Sequence, residues 1–135
     1  MINDFIGDMI IRIRNGYQAR LSAVFLHNAS PKYCIKILEI LEAEGYILGF
    51  QYNKNTLNNK IIIKVFLKYN DFGKSTIQNI FKVSSSGRRI YVSIKQLWKI
   101  KGTLGVFLLS TPKGILTDKD ARLLNVGGEL LLGIY

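Results

Sequence analysis

Apolar residues at positions 2, 5, 6, 9, 10 and 13 recur with the spacing of a helix, and from residue 22 the pattern changes to short apolar runs separated by polar turns. A chain that changes period in this way has to pack helices on a sheet to bury either pattern. Ile2, Phe5, Ile6, Met9, Ile10 and Ile13 form the buried stripe of a first helix. Asn3 is placed to cap its start and Asn15-Gly16 to end it in a left-handed turn, while Arg12 and Arg14 fall off the stripe. "SAVFLH" at 22–27 reads as a strand, and Ser30 with Pro31 starts a second helix that runs to about Glu44, where Gly45 stops it. "YILGFQY" and "KIIIKVFLKY", joined by "NKNTLNN", read as two more strands. The first lobe, residues 1–70, is therefore helix, strand, helix, strand, strand.

The turn-forming cluster "NDFGKS" at 70–75 marks the expected boundary, with a second lobe over 71–135. There "IQNIFKV" and "RIYVSI" flank the turn "SSSG", a short helical piece covers about 95–99, "GVFLLS" is apolar enough for a central strand, and "ELLLGIY" closes the chain. Thr117 with Asp120 three residues on resembles a capping box and predicts a short helix over about 118–124. The expected fold class is α+β, as two small lobes, the second mainly antiparallel β with short helices.

Nineteen Lys and Arg against nine Asp and Glu give a net charge of +10 and a pI near 9.8, a field that attracts polyanions. The basic residues lie in both halves, so a folded surface rather than a tail carries that field. Mean hydropathy is +0.15 and no apolar run approaches the roughly 18 residues of a membrane helix. The one cysteine, Cys34, has no partner for a disulfide and reads as a small buried apolar residue.

Catalysis finds little to work with. The single histidine, His27, ends a strand pattern and belongs to no HExxH, CxxC or paired-carboxylate arrangement. Ser110 sits in no G-x-S-x-G elbow and has no second histidine as base, and no Walker-type glycine loop is present. Neither metal nor cofactor is expected.

What remains is binding. In "STPKG", 110–114, Ser110 and Thr111 offer hydroxyls to base edges or a 2′-hydroxyl, Lys113 can neutralise a phosphate, and Gly114 lets the backbone approach a bulky partner; an ordinary turn is the plainer alternative. "SSSGRRIY" repeats the recipe with Ser86, Arg88 and Arg89, then Tyr91, which is placed either to stack on a base or to fill the core. Gly127-Gly128 lets two backbones approach or turns the chain sharply, and the following Glu129 can accept from a cytosine amino group or orient a neighbouring lysine or hydroxyl.

The segment "LSTPKGILTDKDARLLNVGGE" at 109–129, with "DFIGDMIIRIRNG" at 4–16 and "GRRIY" at 87–91, resembles the bacterial-type small-subunit ribosomal protein eight family over nearly the whole chain. The resemblance implies a two-lobe α+β protein without enzymatic activity. Its implied role is direct binding to a helix in the central domain of small-subunit rRNA, supporting platform assembly and translation beside neighbouring ribosomal proteins. Family contacts fall here on Ser110, Thr111, Lys113, Gly114 and Glu129, with Arg14 and Asn15 in the first lobe. Two departures stand out: Pro112 occupies the place of a third hydroxyl, and the family's Ser-Arg-Pro-Gly-Leu-Arg turn is Ser84 to Arg89 here, moving one positive charge from position 85 to 88.

A second function class, repression of translation by binding an mRNA that imitates the rRNA site, would use the same surface. A third, a small hydrolase using Ser110, lacks a base. The Ile-, Asn- and Lys-rich composition of an AT-rich genome, with an N-terminus unlike a transit peptide, leads to the expectation of a protein made and used in an organelle, a mitochondrion before a plastid. A bacterial cytoplasm with an AT-rich genome gives the same signs.

Overall fold

The computed structural model describes residues 2–27, 31–54, 61–85, 87–99 and 105–135. They form two compact units, Met1–Gln78 and Asn79–Tyr135. The first contains α1 (Ile2–Gln18), β1 (Ala23–His27), α2 (Pro31–Ala43), β2 (Ile47–Lys54) and β3 (Ile61–Leu67), the order the apolar patterning predicts. Its strands form an antiparallel sheet in the order β1-β3-β2. Along β3 the alternation is clean: Ile63, Val65 and Leu67 are buried on one face, in a core with Ile6, Met9, Ile10 and Ile13 of α1 and Ile37, Leu38 and Leu41 of α2. Ser30, expected to cap α2, lies outside the described residues, as does the centre of the β2–β3 turn.

The first helix does not end at Asn15-Gly16. It continues to Gln18 because Gly16 is used for close approach: a Cβ there would lie 2.3 Å from Val24 Cγ1 and 3.0 Å from Leu67 Cδ1. The left-handed residue is Arg20, at φ 57°. Its N–H donates to Tyr17 O at 3.2 Å and the N–H of Leu21 to Gly16 O at 2.9 Å, the paired bonds of a Schellman end. The second helix ends as expected at Gly45, φ 82°, with the same pair of bonds from Gly45 to Glu42 and from Tyr46 to Leu41.

The units divide eight residues beyond the turn at Asn70. That turn, in which Asn70 Oδ1 accepts from the N–H groups of Phe72 and Lys74 at 2.9 Å each, doubles the chain back instead of releasing it. Tyr69 bridges to Ser75, and the Thr76 hydroxyl lies 2.8 Å from the Tyr46 carbonyl and 2.9 Å from that of Lys68. The Tyr17 hydroxyl completes the knot, donating to Tyr46 O at 2.9 Å and accepting from the Lys68 N–H at 3.2 Å.

The second unit contains β4 (Ile80–Lys82), β5 (Tyr91–Val92), α3 (Ile94–Lys99), β6 (Val106–Thr111), β7 (Gly114–Thr117), α4 (Asp118–Leu123) and β8 (Gly128–Ile134). Its antiparallel sheet runs β4-β8-β6-β7, and β5 also pairs with β8. Leu97 of α3, Ala121 of α4, Leu109 of β6 and Leu130 of β8 make its core on one face of the sheet. The segments that flank the "SSSG" turn each pair with β8, and "STPKG" is the tip of a β6–β7 hairpin, whose second strand the sequence reading does not single out.

Helix α4 begins where expected, with Thr117 Oγ1 accepting from the Asp120 N–H at 3.1 Å. Asp118 is buried, and its carboxylate accepts from the Phe107 N–H at 3.2 Å and from Arg122 Nη1 at 3.1 Å, so "TDKDAR" ties α4 to β6. In the first unit Cys34 is fully buried, and burial pushes its thiol from 9.0 up to about 12.

Two outcomes follow from this packing. Tyr17→Phe should destabilise the protein by about 1 kcal/mol in urea unfolding, since it removes the acceptor of the half-buried Lys68 N–H and the bond to Tyr46 O. Iodoacetamide at pH 8 should label Cys34 only after unfolding. Because the folded thiol keeps its proton longer, the stability it contributes is complete below the unfolded value of 9.0 and is lost as pH rises toward about 12.

Candidate nucleic-acid interface

Strand β8 is paired along both edges. On one edge β6 follows it from Ile134 to Glu129; on the other, β4 covers residues 132–134 and β5 covers 128–129. Between β4 and β5 the gap is closed by backbone bonds, Val83 N–H to Leu131 O at 3.0 Å and Leu130 N–H to Ile90 O at 2.9 Å. Ser84 pins the same loop. Fully buried, it donates to Leu130 O at 2.5 Å and accepts from the Ile90 N–H at 3.0 Å.

The double glycine makes this crowding possible by close approach, not by a sharp turn. A Cβ on Gly127 would stand 2.4 Å from Val92 O, and one on Gly128 would stand 2.2 Å from Ser110 O. Both obstacles are backbone, which cannot swing aside. Side chains therefore resume at Glu129, between β5 and β6.

Glu129 is paired with Ser110 on one side and Tyr91 on the other. Directly opposed residues of antiparallel strands point to the same face, so the three side chains form one row. Because side chains alternate along a strand, this row lies on the face opposite the adjacent core pair Leu109 and Leu130. The Glu129 side chain is only 12% exposed; Tyr91 is 64% exposed and stands in solvent. Arg89 Nη1 lies 3.9 Å from Glu129 Oε2, an ion pair too long for a hydrogen bond. The other carboxylate oxygen, Oε1, is buried with no hydrogen-bond partner among the described residues. The half-buried Ser110 hydroxyl stands beside it in the same row. A buried acceptor without a donor costs about 1–3 kcal/mol, so the row is poised for a donor from outside.

The hairpin tip closes one end of the row. Proline fixes φ near −65°, so Pro112 cannot occupy the first place of the primed turns that usually join two strands. Gly114 restores the strand twist with φ 110°. The Thr111 hydroxyl is used inside the turn, donating to Gly114 O at 2.7 Å and accepting from the Lys113 N–H at 3.2 Å, which leaves one lone pair for a partner. Lys113 is exposed at the tip. Near the other end, Ser85 and Arg88 exchange backbone bonds of 2.8 and 3.2 Å, a tight turn that leaves the Arg88 and Arg89 side chains exposed. Ser86 lies outside the described residues. In the first unit, Arg14 and Asn15 are exposed on α1, and Asn15 lines an open depression of about 640 Å³ with Arg12, Ala19, Leu21 and Phe25. Ser84 and Asp118, which hold the surface in place, fall within the stretches that carry the family resemblance, but their structural roles are set by burial.

Among the described residues no cluster of metal-ligating side chains is found. A stiff, hydroxyl-lined row around one buried carboxylate, flanked by arginines and a lysine, defines a binding protein built on two α+β units. The chain belongs to the ribosomal protein S8 family, whose model matches residues 4–135. It is 42% identical to "Small ribosomal subunit protein uS8" of Sinorhizobium fredii and of Rhizobium rhizogenes, each over 99% of this chain and 98% of the relative. The same protein of Erythrobacter litoralis is 40% identical over the same shares. The family is structural and not enzymatic, and these relatives are proteins of the small ribosomal subunit.

Removing the orphaned acceptor should help the free protein. Glu129→Leu is expected to raise unfolding free energy by about 1 kcal/mol or more in urea titration. Gly128→Ala should lower it by about 1–3 kcal/mol, since strands β6 and β8 must part.

Proposed function

We propose that this protein binds directly to a helix in the central domain of small-subunit rRNA and supports assembly of the subunit platform. The observation that carries the proposal is the buried Glu129 oxygen without a donor, set beside the Ser110 hydroxyl and below an exposed Tyr91. Base amino groups and 2′-hydroxyls are donors of the right kind, and double-stranded RNA displays both in its shallow groove. Arg88, Arg89 and Lys113 supply the phosphate contacts that fix register, with Arg14 and Asn15 as a separate contribution from the first unit.

The mechanism is stabilisation by differential binding. A row held by backbone hydrogen bonds fits one RNA shape, so the protein shifts the RNA toward that shape by its difference in affinity for folded and unfolded forms. Pro112 stiffens the tip and removes one backbone donor, which favours a preformed loop over an adaptable one. As to compartment, the relatives are bacterial, which fits a bacterial cytoplasm and lends no support to the mitochondrial expectation.

The test is filter binding to the chain's own central-domain rRNA helix and to a scrambled duplex over a range of salt. Glu129→Ala should lose about 1–3 kcal/mol of discrimination with the salt slope unchanged. Arg88→Gln should weaken both RNAs alike and lower the slope by about 0.9. Equal affinity of the native protein for the two RNAs would sink the proposal.

A further inference from the structure

The outward face of the first unit's sheet carries a second arrangement, whose Phe25 also lines the depression beside Asn15. In the register of β1, β3 and β2, Phe25 lies opposite Lys64, and Lys64 opposite Gln51. Phe66 is the next residue of β3 on that face. The Lys64 ammonium stands 5.0 Å from the centre of the Phe66 ring and 5.8 Å from that of Phe25, so one cation serves two aromatic faces. Ile63, Val65 and Leu67 already supply the core on the other side of β3. Phe25 is 48% exposed, beyond anything core packing requires.

A single exposed aromatic needs no explanation, but a cation seated between two of them narrows what can cover the face. None of Phe25, Ile62, Phe66, Gln51 and Asn53 beside Lys64 is acidic; the Glu42 carboxylate reaches the face only at Gly49, opposite Phe66, and no ion pair between it and Lys64 forms among the described residues. A protein partner burying the rings would strip water from the ammonium and would have to bring an acid to that one point. A single strand of RNA offers a flat base for each ring and a negative phosphate at every nucleotide. We propose that this face binds unpaired RNA, with bases stacked on Phe25 and Phe66 and Lys64 against the intervening phosphate.

The experiment titrates the full-length protein with a fluorescent uridine dodecamer, which forms no duplex. Phe25→Ala should weaken binding by about fivefold to a hundredfold, and Lys64→Gln should lower the salt slope by about 0.7. Thermal unfolding of each variant checks that the sheet is intact; exposed Phe25 should be replaceable with little change in Tm. Glu129→Ala should bind the dodecamer as the native protein does, which separates this face from the rRNA-helix surface. No saturable binding by the native protein, or equal affinity of folded Phe25→Ala, overturns the proposal and leaves the face to a protein partner. Loss of binding in Glu129→Ala with Phe25→Ala unaffected overturns it too, by assigning the strand to the other surface.

Discussion

Among the described residues three strands pair with β8, and two adjacent glycines at its start are what allow β5 and β6 to close on it. With Val92 O and Ser110 O each less than 2.5 Å from where a Cβ would be, residues 127 and 128 are closed to any side chain. The strand is consequently gripped from both edges before its first side chain emerges. That side chain is Glu129, and its direction is decided by the backbone and not by its own contacts. Everything proposed for the second unit's surface depends on this grip: the alignment of Ser110, Glu129 and Tyr91, the burial of one carboxylate oxygen, and the nearness of Arg89.

The grip also explains why an unfavourable group persists. Free proteins seldom bury an acceptor without a donor, and Glu129 is held at 12% exposure with only a distant guanidinium for company. Its neighbours are fixed by bonds that do not involve it: Ser84 to Leu130 and Ile90, Asp118 to Phe107, Thr111 across the hairpin tip. Local stability lent by those bonds sustains the unsatisfied carboxylate oxygen on which the proposed RNA site rests.

The sequence is legible where structure is local. Apolar spacing gives both long helices and all three strands of the first unit, and Gly45 and Thr117 mark helix ends because capping is decided within a few residues. It is less legible where two readings share one residue: Gly16 looks like a helix end and is a packing contact, with Arg20 taking the left-handed turn two residues after the helix. Pairing is hardest of all. Segments 80–82 and 91–92 are too short to announce a partner, and both join a strand nearly forty or more residues away. The site residues Ser110, Glu129 and Tyr91 could be named from composition and family resemblance, yet their common row is a matter of register, and the roles of Ser84 and Asp118 become visible only once burial is known.

The preformed character of the Glu129 row is tested most directly by mapping amide chemical shifts of the isotope-labelled protein as its central-domain rRNA helix is added. A rigid surface held by β8 predicts large shifts confined, within the second unit, to residues 87–91, 110–114 and 128–129, with α3 and α4 unmoved. Silence at those residues, with shifts gathered on the α3–α4 side around Trp98 and Leu123, would contradict it.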